Sequence, residues 1–228
     1  MDYNNDGKLD IISGDSAGNV WIYINLGTTD KPKLAAGKKV HADGKPISAS
    51  RKTYKKDGGR YVVDKIIPGS SKLAEVYTKI HLADWDGDGL KDLLIGHSST
   101  IIFYKNAGTK SKPVFKAPVT IDPPKGGFAS RPSPHVVDFD GDGKKDLLVS
   151  TEPRKLEFYR NVGTAKAPKL GKAVEIVLKG DGFEKGSRNR IEVVDWNNDG
   201  KMDILVGNFY SDRQTRKMGG NVWLFLGK

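Results

Sequence analysis

The sequence predicts an all-β fold assembled from a repeated unit of short antiparallel strands, and three observations lead to it. A nine-position acidic pattern, D-aromatic-[DN]-x-D-G-x-x-D, begins at Asp2, Asp84, Asp138 and Asp195, and an aliphatic pair follows each copy. Beyond each copy, at a nearly fixed distance, lies an aromatic run of β type that ends in a glycine: Gly27, Gly108, Gly163 and Gly227. Setting insertions aside, the copies recur at roughly 55 residues, room for about four short strands, which is the sequence sign of a β-propeller blade. The expectation is one β-propeller domain over residues 1–228, made of four blades whose units start near 2, 84, 138 and 195.

In chain order each unit reads as strand, acidic loop, strand, hairpin, aromatic strand, Gly-Thr turn, proline and outer strand. The runs after the loops are Ile11-Ile12-Ser13-Gly14, Leu93-Leu94-Ile95-Gly96, Leu147-Leu148-Val149-Ser150 and Ile204-Leu205-Val206-Gly207. Asn25-Leu26-Gly27-Thr28, Asn106-Ala107-Gly108-Thr109 and Asn161-Val162-Gly163-Thr164 make the turns, and Pro32, Pro113 and Pro168 follow them. Tyr3, Trp85, Phe139 and Trp196 share one loop position; Tyr23, Tyr104, Tyr159 and Trp223 align in the aromatic strands. Aromatics repeated in all four units are expected to pack between blades. His81 and His135, three residues before their loops, read as strand residues. Two insertions interrupt the period, at 41–77 and 209–219.

The loop pattern carries the chemistry. Oxygen side chains at positions 1, 3 and 5 of a tight loop converge on one point, and glycine at position 6 permits the turn that closes it. The carbonyl at position 7 (Lys8, Leu90, Lys144, Lys201) and the carboxylate at position 9 (Asp10, Asp92, Asp146, Asp203) can complete an all-oxygen shell, which suits a hard cation. Two carboxylates about 4 Å apart repel by roughly 4 kcal/mol at an effective dielectric near 20, so clusters of three or four call for a counter-ion. An EF-hand is excluded. It needs glutamate at position 12, where this chain has Ser13, Ile95, Val149 and Val206, and flanking helices where the chain has β-rich runs.

Charge bounds the surface. Half of the 28 acidic residues lie in the four loops, so the remainder is far more basic than the net charge of +10 suggests. Such a surface favours acidic polysaccharides or anionic cell surfaces; nucleic acid as a partner would rest on charge alone. There are no cysteines, and no apolar run approaches the roughly 20 residues of a membrane span.

On these motifs the chain resembles the FG-GAP/VCBS repeats of integrin α-chain propellers and of many secreted bacterial proteins. The resemblance covers essentially everything outside the first insertion. It implies a calcium loop joining the first and second strands of each blade, away from the ligand-binding face, and up to four Ca²⁺ ions. The implied ligands are Asp2, Asn4, Asp6 and Asp10; Asp84, Asp86, Asp88 and Asp92; Asp138, Asp140, Asp142 and Asp146; and Asp195, Asn197, Asp199 and Asp203. Asn4 and Asn197 leave the first and fourth loops with three carboxylates, so those sites are expected to bind more weakly. Relatives usually have about seven blades, so the sequence reads as part of a larger propeller rather than a small closed ring.

Off-repeat residues are better candidates for specific recognition. Residues 38–79 hold eleven Lys/Arg against four acidic residues, with Tyr54, Tyr61 and Tyr77 interleaved, and the fourth unit adds Phe209, Tyr210, Arg213, Arg216 and Lys217. Aromatic faces and cations together suit acidic sugars. The function expected is a non-enzymatic, calcium-binding recognition or adhesion module outside the cytosol, with a carbohydrate (an acidic polysaccharide among the candidates) or a protein as ligand. The alternative is the propeller of a calcium-dependent polysaccharide lyase of rhamnogalacturonan-lyase type. His97, Arg131, Arg188 and Arg190 would then be its nearest candidates.

Overall fold

Each acidic loop lies at the root of its own antiparallel sheet. The computed structural model describes residues 1–48, 50–58, 60–68, 78–97, 99–124, 127–152, 155–180, 183, 187–211 and 217–227, without the side chains of 50–57, 60–68 and 187–188. These residues contain no α-helix. The first sheet joins β1 (Ile11–Gly14), β2 (Val20–Tyr23) and β3 (Lys38–Lys39). Two hairpins follow, β4 (His41–Ala42) with β5 (Lys45–Pro46) and β6 (Ser50–Asp57) with β7 (Arg60–Pro68). The second sheet runs β8 (Lys79–Ala83), β9 (Asp92–His97), β10 (Thr100–Tyr104), β11 (Val119–Ile121). The third runs β12 (Ser133–Val137), β13 (Asp146–Ser150), β14 (Leu156–Tyr159), β15 (Val174–Glu175). In the fourth are β16 (Ser187–Val194), β17 (Asp203–Ser211) and β18 (Met218–Phe225).

Every one of these sheets is a meander in chain order, and the acidic loop joins its first strand to its second in the last three. That connection agrees with the order of elements the repeat predicts. Three hydrophobic clusters lie between consecutive sheets. Val20, Ile22, Leu93, Ile95 and Phe115 form the first, Leu94, Ile101, Val136, Leu147 and Val149 the second, and Leu148, Leu156, Val193, Ile204 and Val206 the third. Alternation along β9 and β13 therefore feeds a core on each face, and both strands are buried at every position. The sheets meet closely at the ends remote from the loops: a Cβ on Gly14 would stand 2.3 Å from the Thr78 carbonyl oxygen, and Ser150 Oγ donates to the Asn189 carbonyl at 3.0 Å.

Register corrects one alignment. Ile11, Leu93 and Leu147 pair with Tyr23, Tyr104 and Tyr159, but Ile204 pairs with Phe225. Phe225, not Trp223, is thus the fourth equivalent; the longer β17–β18 hairpin shifts the strand by two residues. Trp196 also departs from the expected packing. It is 59% exposed, whereas Trp85 is buried in the second cluster, because no described sheet covers the far side of the fourth.

The insertions are partly structured. Asp43 and Gly44, both at positive φ, turn the β4–β5 hairpin, whose neighbours Val40, Ala42 and Ile47 are buried in the first cluster. β6 and β7 pair from Ser50↔Pro68 to Asp57↔Arg60. Tyr77, Arg213 and Arg216 lie outside the described residues, as do the side chains of Tyr54, Tyr61 and Arg188. In the fourth sheet β17 and β18 continue through Phe209↔Gly220 to Ser211↔Met218.

Candidate metal centre

The loops fold through their own carboxylates. The position-1 aspartate accepts backbone N–H bonds from positions 5 and 6: Asp6 and Gly7 onto Asp2 at 3.1 and 3.0 Å, Asp88 and Gly89 onto Asp84 at 3.0 and 2.9 Å, Asp199 and Gly200 onto Asp195 at 3.0 and 2.9 Å. In the third loop Gly143 donates to Asp138 at 2.9 Å. The position-5 carboxylate accepts from position 7, so the N–H groups of Lys8, Leu90, Lys144 and Lys201 lie 2.9–3.0 Å from Asp6, Asp88, Asp142 and Asp199. Position 6 is glycine in the left-handed region, and position 4 is left-handed too: Asn5, Gly87, Gly141 and Asn198. Glycine enters that region freely, and asparagine or aspartate more cheaply than other residues. The fourth position thus carries a backbone constraint that the nine-position pattern does not specify.

Position 9 serves the strands. Asp10, Asp92, Asp146 and Asp203 are buried. One oxygen of each accepts the N–H of the loop aromatic, from Tyr3 at 2.9 Å, Trp85 and Phe139 at 3.1 Å and Trp196 at 2.8 Å. The other accepts from Asn25 at 2.7 Å and from Asn106, Asn161 and Gly227 at 2.8 Å. Each asparagine in turn holds its Gly-Thr turn, since its side-chain oxygen accepts from Gly27, Gly108 or Gly163 at 2.9 Å. The Asn-x-Gly-Thr signature and the acidic loop are therefore one hydrogen-bonded unit. Burial, with Asp86 and Asp88 nearby, pushes the Asp92 carboxyl up to about 6; burial likewise raises Asp146.

Two of the four loops gather carboxylates around one point. Oxygens of Asp84, Asp86 and Asp88, and of Asp138, Asp140 and Asp146, lie within 4.8 Å of one another. Asp92 is not in the first group, nor Asp142 in the second. In the other two loops an amide replaces the third carboxylate: Asn4 donates to Asp6 at 3.2 Å, and Asn197 to Asp199 at 3.1 Å. The residues fit a hard cation by two signs. The donor set is all oxygen, and Asp86 Oδ1 and Asp138 Oδ1 are buried without a hydrogen-bond partner.

Cations from elsewhere reach these loops. Lys105 Nζ contacts Asp86 Oδ2 and lies 2.6 Å from Asp88 Oδ2. Arg160 Nε lies 2.6 Å from Asp140 Oδ2, and its Nη2 3.4 Å from Asp142 Oδ2. The side-chain hydrogen bond from Lys144, ahead of that from its N–H, holds Asp142 below the usual carboxylate range. Burial would raise Asp88, but the Lys105 hydrogen bond and the Leu90 N–H outweigh it and the net shift is downward.

A second polar cluster lies a strand length from the loops, at the starts of β8, β12 and β16. Lys79 is 4% exposed and donates to the Arg131 carbonyl. Arg131 Nη1 meets Glu152 Oε2 at 3.1 Å. Burial first, then Arg190 and Arg131, bring the Lys79 ammonium down to about 7 against the opposing pull of Glu152. Sequence reasoning picked Arg131 and Arg190 but missed Lys79, which has no motif around it. His97 is buried at the end of β9. His81 and His135 are strand residues, as expected, with ring centroids 4.2 Å apart.

No helix among the described residues is long and apolar enough to cross a membrane. No curated protein matches the chain. The FG-GAP-like repeat matches residues 84–149 and 138–206, which together span more than half of the sequence and contain the three loops joined on both sides to strands. This chain belongs to the FG-GAP-like repeat family.

Proposed function

We propose that the chain is a calcium-stabilised β-propeller module for recognition outside the cytosol, with one Ca²⁺ in each acidic loop and an acidic carbohydrate as the favoured ligand, a protein as the other. The observation that carries the reading is the convergence of Asp84, Asp86 and Asp88, with Asp86 Oδ1 buried and unpaired. Asp2, Asp84, Asp138 and Asp195 hold the loop backbone and would hold the ion together with positions 3 and 5, joined in the third loop by Asp146, which converges there with Asp138 and Asp140. The bound ion would supply charge neutralisation and cross-link the two strands it sits between. At free calcium ten times Kd one site adds about 1.4 kcal/mol, so four approach the whole margin of a domain. Chelation should therefore lower the melting temperature by about 10 °C or more. An unchanged melt in chelator, checked by calorimetry, would remove calcium from the account.

A second reading, a propeller lyase acting on polyuronates, is favoured by one observation. Lys79 is a buried amine brought down to about 7, with Arg131 and Arg190 beside it, which is what a base and its carboxylate-neutralising partners require. One assay separates the readings. Incubation with a panel of acidic polysaccharides in millimolar calcium is followed by retention and by the ultraviolet absorbance of unsaturated products. Retention alone supports the module; absorbance that disappears in Lys79→Met supports the lyase.

A further inference from the structure

We infer that Lys105 and Arg160 are tethered counter-ions that compete with the bound cation in the second and third loops and so set its affinity. This rests on the calcium reading above and concerns how the chain tunes those sites.

The argument comes from position rather than from proximity alone. In each repeat one backbone N–H, that of Asn25, Asn106, Asn161 or Gly227, is fixed on the position-9 carboxylate at 2.7–2.8 Å. The residue just before it is Ile24, Lys105, Arg160 and Leu226 respectively. Position 3 of the corresponding loop is Asn4, Asp86, Asp140 and Asn197. A cation therefore stands one residue past the strand wherever position 3 is a carboxylate, and an aliphatic residue wherever it is an amide. Its contacts go to that same carboxylate: Lys105 to Asp86, Arg160 to Asp140 at 2.6 Å. The position-7 lysines behave differently. Lys8, Lys144 and Lys201 occur in loops of both kinds and do not track the fourth aspartate.

Such a cation does two things. Without metal it offsets the repulsion of four carboxylates held in one loop. With metal the conflict falls at Asp88, whose Oδ1 already accepts the Leu90 N–H so that Lys105 occupies its other oxygen, while on Asp86 Lys105 holds Oδ2 and leaves Oδ1 unpaired. Leaving is feasible: the Lys105 and Arg160 side chains are 41% and 54% exposed, so each can swing into water. The extra carboxylate then strengthens the site less than its charge alone would, and the two kinds of loop come out close in affinity.

The test uses the full chain, labelled with ¹⁵N and titrated with calcium chloride. The amides of Gly7, Gly89, Gly143 and Gly200, one per loop, report each site separately. Lys105→Met should move the Gly89 midpoint to about threefold lower calcium, with Gly7 unchanged. Leu226→Lys, on an exposed side chain in the fourth repeat, should move Gly200 the other way. Midpoints that stay put in both variants, or a Gly89 midpoint that rises in Lys105→Met, would overturn the inference while leaving calcium binding intact. If no glycine responds to calcium even in the unmodified chain, the calcium reading itself fails.

Discussion

In the second and third repeats the acidic loop carries a fourth aspartate, Asp86 or Asp140, and leads into β9 or β13, strands buried on both faces. In the first and fourth the same position is Asn4 or Asn197, and no described sheet covers one side: Ile11 on β1 is 48% exposed and Val222 on β18 is 76% exposed. The loops share one frame, with the position-1 carboxylate on the position-6 N–H and the position-9 carboxylate buried beneath in all four, though in the third the position-5 N–H goes to Asp140 instead of Asp138. What varies is the charge and the cover around a constant scaffold. The difference teaches that the shape of the loop and its charge are set at different places: positions 1, 4, 6 and 9 shape it, while what varies its charge is position 3 and the residue just past the facing strand.

The sharpest way to break the comparison of cover lies at a repeated glycine. Gly96 and Gly207 each stand four residues beyond the position-9 aspartate. A Cβ on Gly96 would come 1.9 Å from the Pro132 carbonyl oxygen of the next sheet, whereas no described atom lies within 4 Å of one on Gly207. Gly96→Ala should cost about 4 kcal/mol, since the contact is backbone that cannot rotate away. Gly207→Ala should stay within about 0.5 kcal/mol. Denaturant melts of the two variants decide it. Equal losses would mean that the far face of the fourth sheet is covered in solution.

Much of this was legible in the sequence, for a physical reason. The loop pattern, the order strand–loop–strand–hairpin and the Asn-x-Gly-Thr turn depend on contacts within one repeat, and the repeat displays them several times over. The interplay of Asn106 with Asp92 was not read, although both residues were singled out, because the link is a backbone N–H that a sequence does not show. Trp223 was misaligned for a related reason: the β17–β18 hairpin is longer, and only register reveals Phe225 as the partner of Ile204. Lys79 and the cations Lys105 and Arg160 belong to contacts across strands and between sheets. Their chemistry is set by what stands opposite, which spacing along the chain does not encode.

A smaller effect should distinguish the middle repeats from the fourth as the pH falls. Three residues before the second, third and fourth loops stand His81, His135 and Glu192. Burial lowers His81 to about 4; burial, with His81 beside it, lowers His135 to about 3. The charged group facing them is Glu192, 3.8 Å from His135 Nδ1 and itself raised by burial. Because the folded state holds both imidazoles below their unfolded value near 6.5, the stability they contribute is complete above that pH and drains as pH falls toward 4. Each neutral histidine is opposed by about 1.4 kcal/mol per pH unit below 6.5, so the pair should lose about 2–3 kcal/mol by pH 5.5. Calorimetry in chelator, which removes any contribution of bound cations, should show that slope in the parent chain. His81→Gln with His135→Gln should flatten it. A slope that persists in the double variant would assign the acid sensitivity to the carboxylate loops. There the shifts run the opposite way for Asp92, whose raised value makes its ionisation above pH 6 a cost that only a cation relieves.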